Sequence, residues 1–363
     1  MFPFNFPTKR NESGPKALMR ASFCRGLLAA GCLGGGIPAA SAATEASHPN
    51  IVIIYADDLG YGDVSCDGAT RVATPNSDRL AKDGLRFTDG HAPASTCTPS
   101  RFSLLTGRYA FRTPGVSILT GDAGALIKPG MTTLPSLLQT AGYHTGIIGK
   151  WHLGLGDGTI NWNGEIKPGP MEVGFNEQFI MPATLDRVPC VFLDGHRVLN
   201  LDPADPIRIS YARKVGNEPT GFSDPEMLKM KADPQHSGTI VNGVSRIGYM
   251  TGGKSALWKD EDIADQLTAR VADFIDRNKK QPFFLYFATP EPHVPRMPNP
   301  RFVGKTEMGP RGDVIVQLDG GVGQGLVAID KAGLRDNTLV IFSSDNGPVL
   351  NDGYQDDAVR LVG

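Results

Sequence analysis

Residues 49–63, "PNIVIIYADDLGYGD", carry a short apolar run from Ile51 to Tyr55 that stops abruptly at Asp57, Asp58 and a glycine. A run of that length and composition predicts a buried strand whose end reaches a functional edge. Three more stretches have the same form: "YHTGIIGKWH" (143–152), "PFFLYFATPEPH" (282–293) and "NTLVIFSSDNGP" (337–348). Helical patterns lie between them. "TPNSDRLAKDG" (74–84) opens with Thr-Pro and closes with Gly, and "DEDIADQLTARVADFIDRN" (260–278) places Ile263, Leu267, Val271 and Phe274 or Ile275 on one face. Strands alternating with helices predict an α/β domain with a mostly parallel sheet, with ligands gathered beyond the carboxyl ends of the strands. The polar strand ends are therefore expected to converge.

Composition bounds the partners. The 363 residues are 40% hydrophobic and 20% charged, and 36 basic against 38 acidic residues give a formal net charge of -2. No basic footprint invites nucleic acid, and a small molecule or glycan fits better. Residues 1–42 differ from the rest: Lys9, Arg10, Lys16, Arg20 and Arg25 precede "GLLAAGCLGGGIPAASA". That is the pattern of an export signal ending near Ala42, too short in its apolar part to span a bilayer. The expectation is a mature chain, 43–363, that is periplasmic or secreted and not an integral membrane protein; lipoprotein anchoring at Cys32 is the rival reading. Cys66, Cys97 and Cys190 stay in the mature chain, and if Cys97 is consumed by modification, Cys66 and Cys190 are free to pair.

Between 157 and 260 the periodicity fades into Pro, Gly and Asp, which predicts inserted loops and small elements at the rim that select the substrate. The strand ends carry the chemistry. Asp57, Asp58, Asp345 and Asn346 offer hard oxygen ligands suited to calcium or magnesium. Lys150, His152 and His293 add cationic contacts and a proton donor for an anionic ester. In "APASTCTPSRFSLLTGRYA" (92–110), Cys97 and Arg101 admit a thiol nucleophile whose pKa the arginine lowers.

The C-x-P-x-R motif at 97–101 followed by "LLTGR" resembles the signature of the formylglycine-dependent sulfatases, arylsulfatase-like members of the alkaline phosphatase superfamily. The resemblance extends through "TPNSDRLAKDGLRFTDGHA", "TLPSLLQTAGYHTGIIGKWHLG", "FFLYFATPEPHVP" and "SDNGPVLNDGYQDDAV", over most of residues 49–359. It implies a three-layer α/β/α sandwich and a sulfuric ester hydrolase in which a maturating enzyme converts Cys97 to formylglycine. It also implies that Asp57, Asp58, Asp345, Asn346 and the modified Cys97 hold calcium, and that Arg101 steadies the aldehyde hydrate. Lys150, His152 and His293 would contact the sulfate of a sulfated small molecule or glycan. A phosphate or phosphonate monoester hydrolase of the same superfamily is the enzymatic alternative.

Two departures stand out. The family's further lysine, in a G-G-K context after the D-N-G segment, has no counterpart, since no lysine follows Lys331. The expectation is a chain lacking the C-terminal subdomain, with an exposed sheet edge, and a catalytically silent metal-binding protein is the non-enzymatic alternative. Also, Gly320, Gly321, Gly323 and Gly325 fall where the family has a continuous amphipathic helix, which either weakens that helix or is tolerated through packing.

Overall fold

The computed structural model describes residues 48–362, so the predicted signal segment and Cys32 lie outside the described residues. The strands are β1 (Asn50–Ala56), β2 (His144–Lys150), β3 (Glu177–Met181), β4 (Leu193–Asp194), β5 (Arg197–Val198), β6 (Arg208–Ser210), β7 (Ile240–Val241), β8 (Val244–Ser245), β9 (Tyr249–Thr251), β10 (Phe283–Ala288) and β11 (Thr338–Ser344). Seven of them form one sheet in the order β11-β1-β10-β2-β3-β4-β5. The first five neighbours run parallel, and β4 and β5 close the far edge antiparallel. All four strands expected from the sequence are in its parallel part.

Alternation along the strands builds two cores. Ile53, Tyr55, Ile147, Phe284 and Tyr286 face one side, where they meet Phe102 and Leu105 of helix α2 (Cys97–Thr106) and Leu134 and Leu138 of α3 (Leu134–Thr140). Val52, Ile54, Ile148, Leu285 and Phe287 face the other, against Leu267, Val271, Phe274 and Ile275 of α4 (Ile263–Asn278) and Val322 and Ile329 of α5 (Gly309–Lys331). Helix, sheet and helix therefore stack as three layers. Close packing fixes small residues: a Cβ at Gly146 would lie 2.3 Å from the Phe274 ring.

Helix α5 is continuous through Gly320, Gly321, Gly323 and Gly325. Packing explains part of this. Helix α1 (Pro75–Asp83) comes so near that a Cβ on Gly323 would sit 2.6 Å from Asn76, while the Asn76 amide donates to Asp319 and the Ser77 backbone N–H to Asp319 Oδ1 at 2.8 Å. Tertiary contact here outweighs the unfavourable helix propensity.

The 157–260 region departs from the rim-loop expectation. Its β3, β4 and β5 extend the central sheet, and Phe175, Phe179, Val191 and Leu193 are core residues; only β6 with β9 and β7 with β8 form small separate sheets. Short buried strands without alternation left no period to detect. The Cys66–Cys190 pairing also does not form. Cys66, Cys97 and Cys190 are all free, Cys190 lying in the core that faces α4 and Cys66 beside a separate satellite cluster around Leu59 and Val64. At the other edge of the sheet, β11 leaves Leu339 and Ile341 exposed. No helix among the described residues is long and apolar enough to cross a membrane.

Candidate active site

Parallel register brings the strand ends together. Ala56 lies opposite Ser344, Tyr55 opposite Ala288, and Ala288 opposite Gly149, so the segments beginning at Asp57, Asp345, Thr289 and Lys150 share one edge. Gly149 makes the approach feasible: its φ is +108°, and a Cβ there would sit 1.9 Å from the Ala288 carbonyl oxygen. Asp58 and His152 take positive φ values, 63° and 53°, which turn their side chains inward just past the strands.

Helix α2 approaches this edge with Cys97 as its first residue, and Arg101, one turn later, shares that face of the helix. Arg101 is fully buried: Nε donates to Asp345 Oδ2 at 2.9 Å, a second nitrogen is 3.5 Å from Asp57 Oδ1, and another donates to the Lys150 carbonyl at 3.2 Å. The Lys150 ammonium donates to Asp57 Oδ2 at 2.5 Å. Thr98 ties the helix start to the next strand end by donating to the His152 carbonyl.

His152 is the pivotal contact. Its Nε2 lies 2.9 Å from the Leu119 carbonyl, which can only accept, so Nε2 carries the proton. The lone pair of Nδ1 then faces Cys97 Sγ at 3.3 Å. Burial first, and the neighbouring Lys150 and Arg187 charges next, hold this imidazole well below the ordinary histidine range, so it is neutral. His293 differs: burial lowers its pKa, but Asp57 and Asp58 outweigh that and raise it. Its Nδ1 donates to the Val294 carbonyl at 2.6 Å, leaving Nε2 toward the site, 3.8 Å from Asp58.

The lowering of the Cys97 pKa expected from Arg101 does not occur. Burial pushes Cys97 up to about 11, with Asp57 and Asp345 adding to the rise, and Lys150 and Arg101 do not compensate. At neutral pH the unmodified side chain is a thiol.

The oxygen ligands fit a divalent cation. Ligand atoms of Asp57, Cys97 and Asp345 all lie within 4.8 Å of one another, and Asp57 Oδ1 and Asn346 Oδ1 are buried with no hydrogen-bond partner among the described residues. The Asn346 amide donates to Asp58 Oδ1 at 2.5 Å, which aims its own oxygen away from Asp58. Burial and the Asp57 charge raise the Asp345 carboxyl, the response of crowded carboxylates that a cation would relieve. All nine residues singled out in the sequence thus converge. Unanticipated are the Leu119 carbonyl that sets the His152 tautomer, and Asp352, whose carboxylate gathers with Asp58 and His293 within 4.8 Å.

A family model described as Sulfatase matches residues 49–185 and 209–360. The chain belongs to the sulfatase family. Among curated relatives, an N-acetylgalactosamine-6-O-sulfatase of Bacteroides thetaiotaomicron is 53% identical over 319 residues, covering 88% of this chain and 62% of the relative. Human arylsulfatase H is 34% identical, covering 88% of this chain and 60% of the relative. This sulfatase chain therefore spans about three fifths of the length of these curated relatives. A solved structure described under metabolism of multiple glycosaminoglycans by Bacteroides thetaiotaomicron superposes with a TM-score of 0.86 at 52% identity, covering 87% of this chain and 66% of that one.

Proposed function

We propose that this site hydrolyses sulfate monoesters of a carbohydrate, with the 6-O-sulfate of N-acetylgalactosamine as the first substrate to test. The observation that carries the reading is the neutral His152 imidazole with its Nδ1 lone pair on the Cys97 side chain, in a pocket otherwise built of paired charges. The resemblance of this chain to a 53% identical N-acetylgalactosamine-6-O-sulfatase supports the substrate class.

Cys97 stands where a formylglycine would supply a hydrated-aldehyde hydroxyl as nucleophile. Asp57, Asp58, Asp345 and Asn346 would hold calcium, which supplies Lewis-acid stabilisation of the ester's oxygens. The chain's own groups divide the remaining work. His152 Nδ1 accepts a proton from the side chain at position 97, and its tautomer is fixed beforehand by Leu119. Arg101 and Lys150 offset buried carboxylate charge and keep the nucleophile positioned. His293, raised by Asp57 and Asp58, presents Nε2 as proton donor to the leaving oxygen. With His152 neutral and His293 protonated, the three aspartates balance Arg101, Lys150 and His293, so a divalent cation would leave the site positive toward a monoanionic ester. Export through residues 1–42 and maturation by a separate enzyme complete this reading.

The test is the mass of the tryptic peptide Phe87 to Arg101 from the native host, together with turnover of matched 6-sulfate and 6-phosphate esters. An intact alkylatable thiol, or faster phosphate turnover, sinks the proposal. The Asp352 carboxylate beside His293 and Asp58 favours a second reading, a metal-binding protein without turnover. Converted Cys97 with cation binding but no ester hydrolysis would select it.

A further inference from the structure

The segment leaving β3 holds a buried ion pair that the chemistry above does not use. Because Lys150 lies opposite Met181, residues from 182 onward emerge at the same sheet edge as Lys150 and His152. The two segments travel together: the Trp151 N–H donates to the Met181 carbonyl at 3.0 Å and the His152 N–H to the Pro182 carbonyl at 3.2 Å. A turn closed by the Arg187 N–H on the Thr184 carbonyl then presents Asp186 and Arg187, and the Ile247 N–H pins the Asp186 carbonyl at 2.7 Å.

One Arg187 nitrogen donates to both Asp186 carboxylate oxygens, at 2.8 and 2.7 Å. That leaves Nε and the second terminal nitrogen of Arg187 without a hydrogen bond among the described residues, on a side chain 14% exposed. Behind the pair, His236 Nε2 stands 3.4 Å from Asp186 and its Nδ1 lies 2.8 Å from Asp233 Oδ1. Thr184 Oγ1 and His236 Nε2 are buried with no hydrogen-bond partner among the described residues. The pair is close enough to the centre that the Arg187 charge acts on Cys97 and His152 and the Asp186 charge on His293.

A desolvated ion pair is weak evidence for stability, and unfilled donors beside it ask for a ligand. Asp186 cancels the Arg187 charge, so the pair adds little to capture of an anion. What it offers is a fixed donor and acceptor side by side, the complement of a hydroxyl group, which both donates and accepts.

We infer that Asp186 and Arg187, positioned by His236, form a hydroxyl-reading subsite that holds the sugar ring of the ester beside Cys97 and selects a polyhydroxylated alcohol over an aryl alcohol. The inference rests on the sulfate-ester reading and deepens it. The test compares kcat/KM for 6-O-sulfated N-acetylgalactosamine and for 4-nitrophenyl sulfate, which has no sugar hydroxyls, in wild type and Arg187→Lys. Lysine keeps the charge that buried Asp186 needs but loses the planar fork. The sugar ester should lose roughly 10- to 100-fold, the range of a hydrogen bond to a charged group, while the aryl ester changes less than about threefold. An equal fall on both esters, or an unchanged sugar ester, overturns the inference.

A second measurement separates this from failure of the hydrolase reading. Saturation-transfer NMR with N-acetylgalactosamine on the full chain carrying unconverted Cys97 should give a signal that Arg187→Lys and Asp186→Asn abolish. No signal in wild type, or an undiminished one in both variants, overturns the subsite. A wild type that binds the sugar but hydrolyses no sulfate ester supports the subsite and sinks only the hydrolase.

Discussion

Removing one charge from the strand-end cluster tests whether it was built around a cation. Asp58→Asn is the cleanest perturbation, because Asp58 takes no part in the ion pairs of Arg101 and Lys150. Its φ of 63° is a conformation that asparagine tolerates as well as aspartate, so the fold should survive. A ligand at 100 times its Kd stabilises the folded state by about 2.7 kcal/mol. A described body of about 315 residues unfolds with an entropy of roughly 0.65 kcal/mol per kelvin, so saturating calcium should raise the wild-type Tm by about 4 °C. Losing one anionic oxygen ligand and a hundredfold in affinity leaves only about 0.4 kcal/mol at the same calcium concentration, a shift below about 1 °C. Differential scanning calorimetry with and without calcium chloride reads both numbers. A variant that shifts as much as wild type, or a wild type that does not shift at all, would refute the assignment of these oxygens to a cation.

The site sets three further expectations. Gly149→Ala forces a Cβ against the Ala288 carbonyl at positive φ and should destabilise by well over about 2 kcal/mol, read as a Tm loss of at least about 3 °C or as insoluble protein. His152, held neutral in the fold, takes up a proton only on unfolding as pH falls below its unfolded value near 6.5, so it should cost stability in acid; His152→Gln should narrow the Tm gap between pH 7.5 and pH 5, and an unchanged gap refutes the neutral assignment. In protein made without maturation, half-buried Cys66 should be the only cysteine among the described residues to react quickly with a thiol reagent under native conditions, and reduction should leave the mass unchanged; a mass change on reduction would reveal a disulfide.

Much of this was readable because function and fold share the same signal. A buried parallel strand is an uninterrupted apolar run, and its ligand edge is where that run breaks into Asp57-Asp58, Lys150, His293 or Asp345-Asn346. Spacing along a helix did the same for Cys97 and Arg101. What stayed hidden has no local signature. The Leu119 carbonyl that sets the His152 tautomer is backbone, and any residue type could supply it. Asp186 and Arg187 do follow an apolar run, "FIM" at 179–181, but a five-residue strand among prolines and glycines gave too few positions to be recognised. The continuity of α5 depended on Asn76 packing against Gly323, a contact that links distant parts of the chain.

The burial of Cys97 has a consequence in time. Arg101 meets Asp345 across 244 residues of chain, and the pocket that encloses Cys97 closes only when β11 has been made and has paired with β1. At roughly 5–20 residues per second, synthesis leaves on the order of 10–50 seconds during which the motif exists but its enclosure does not. If Cys97 is converted as proposed, the modifying enzyme would compete with completion of the fold, and the yield of converted chains would be set within that interval.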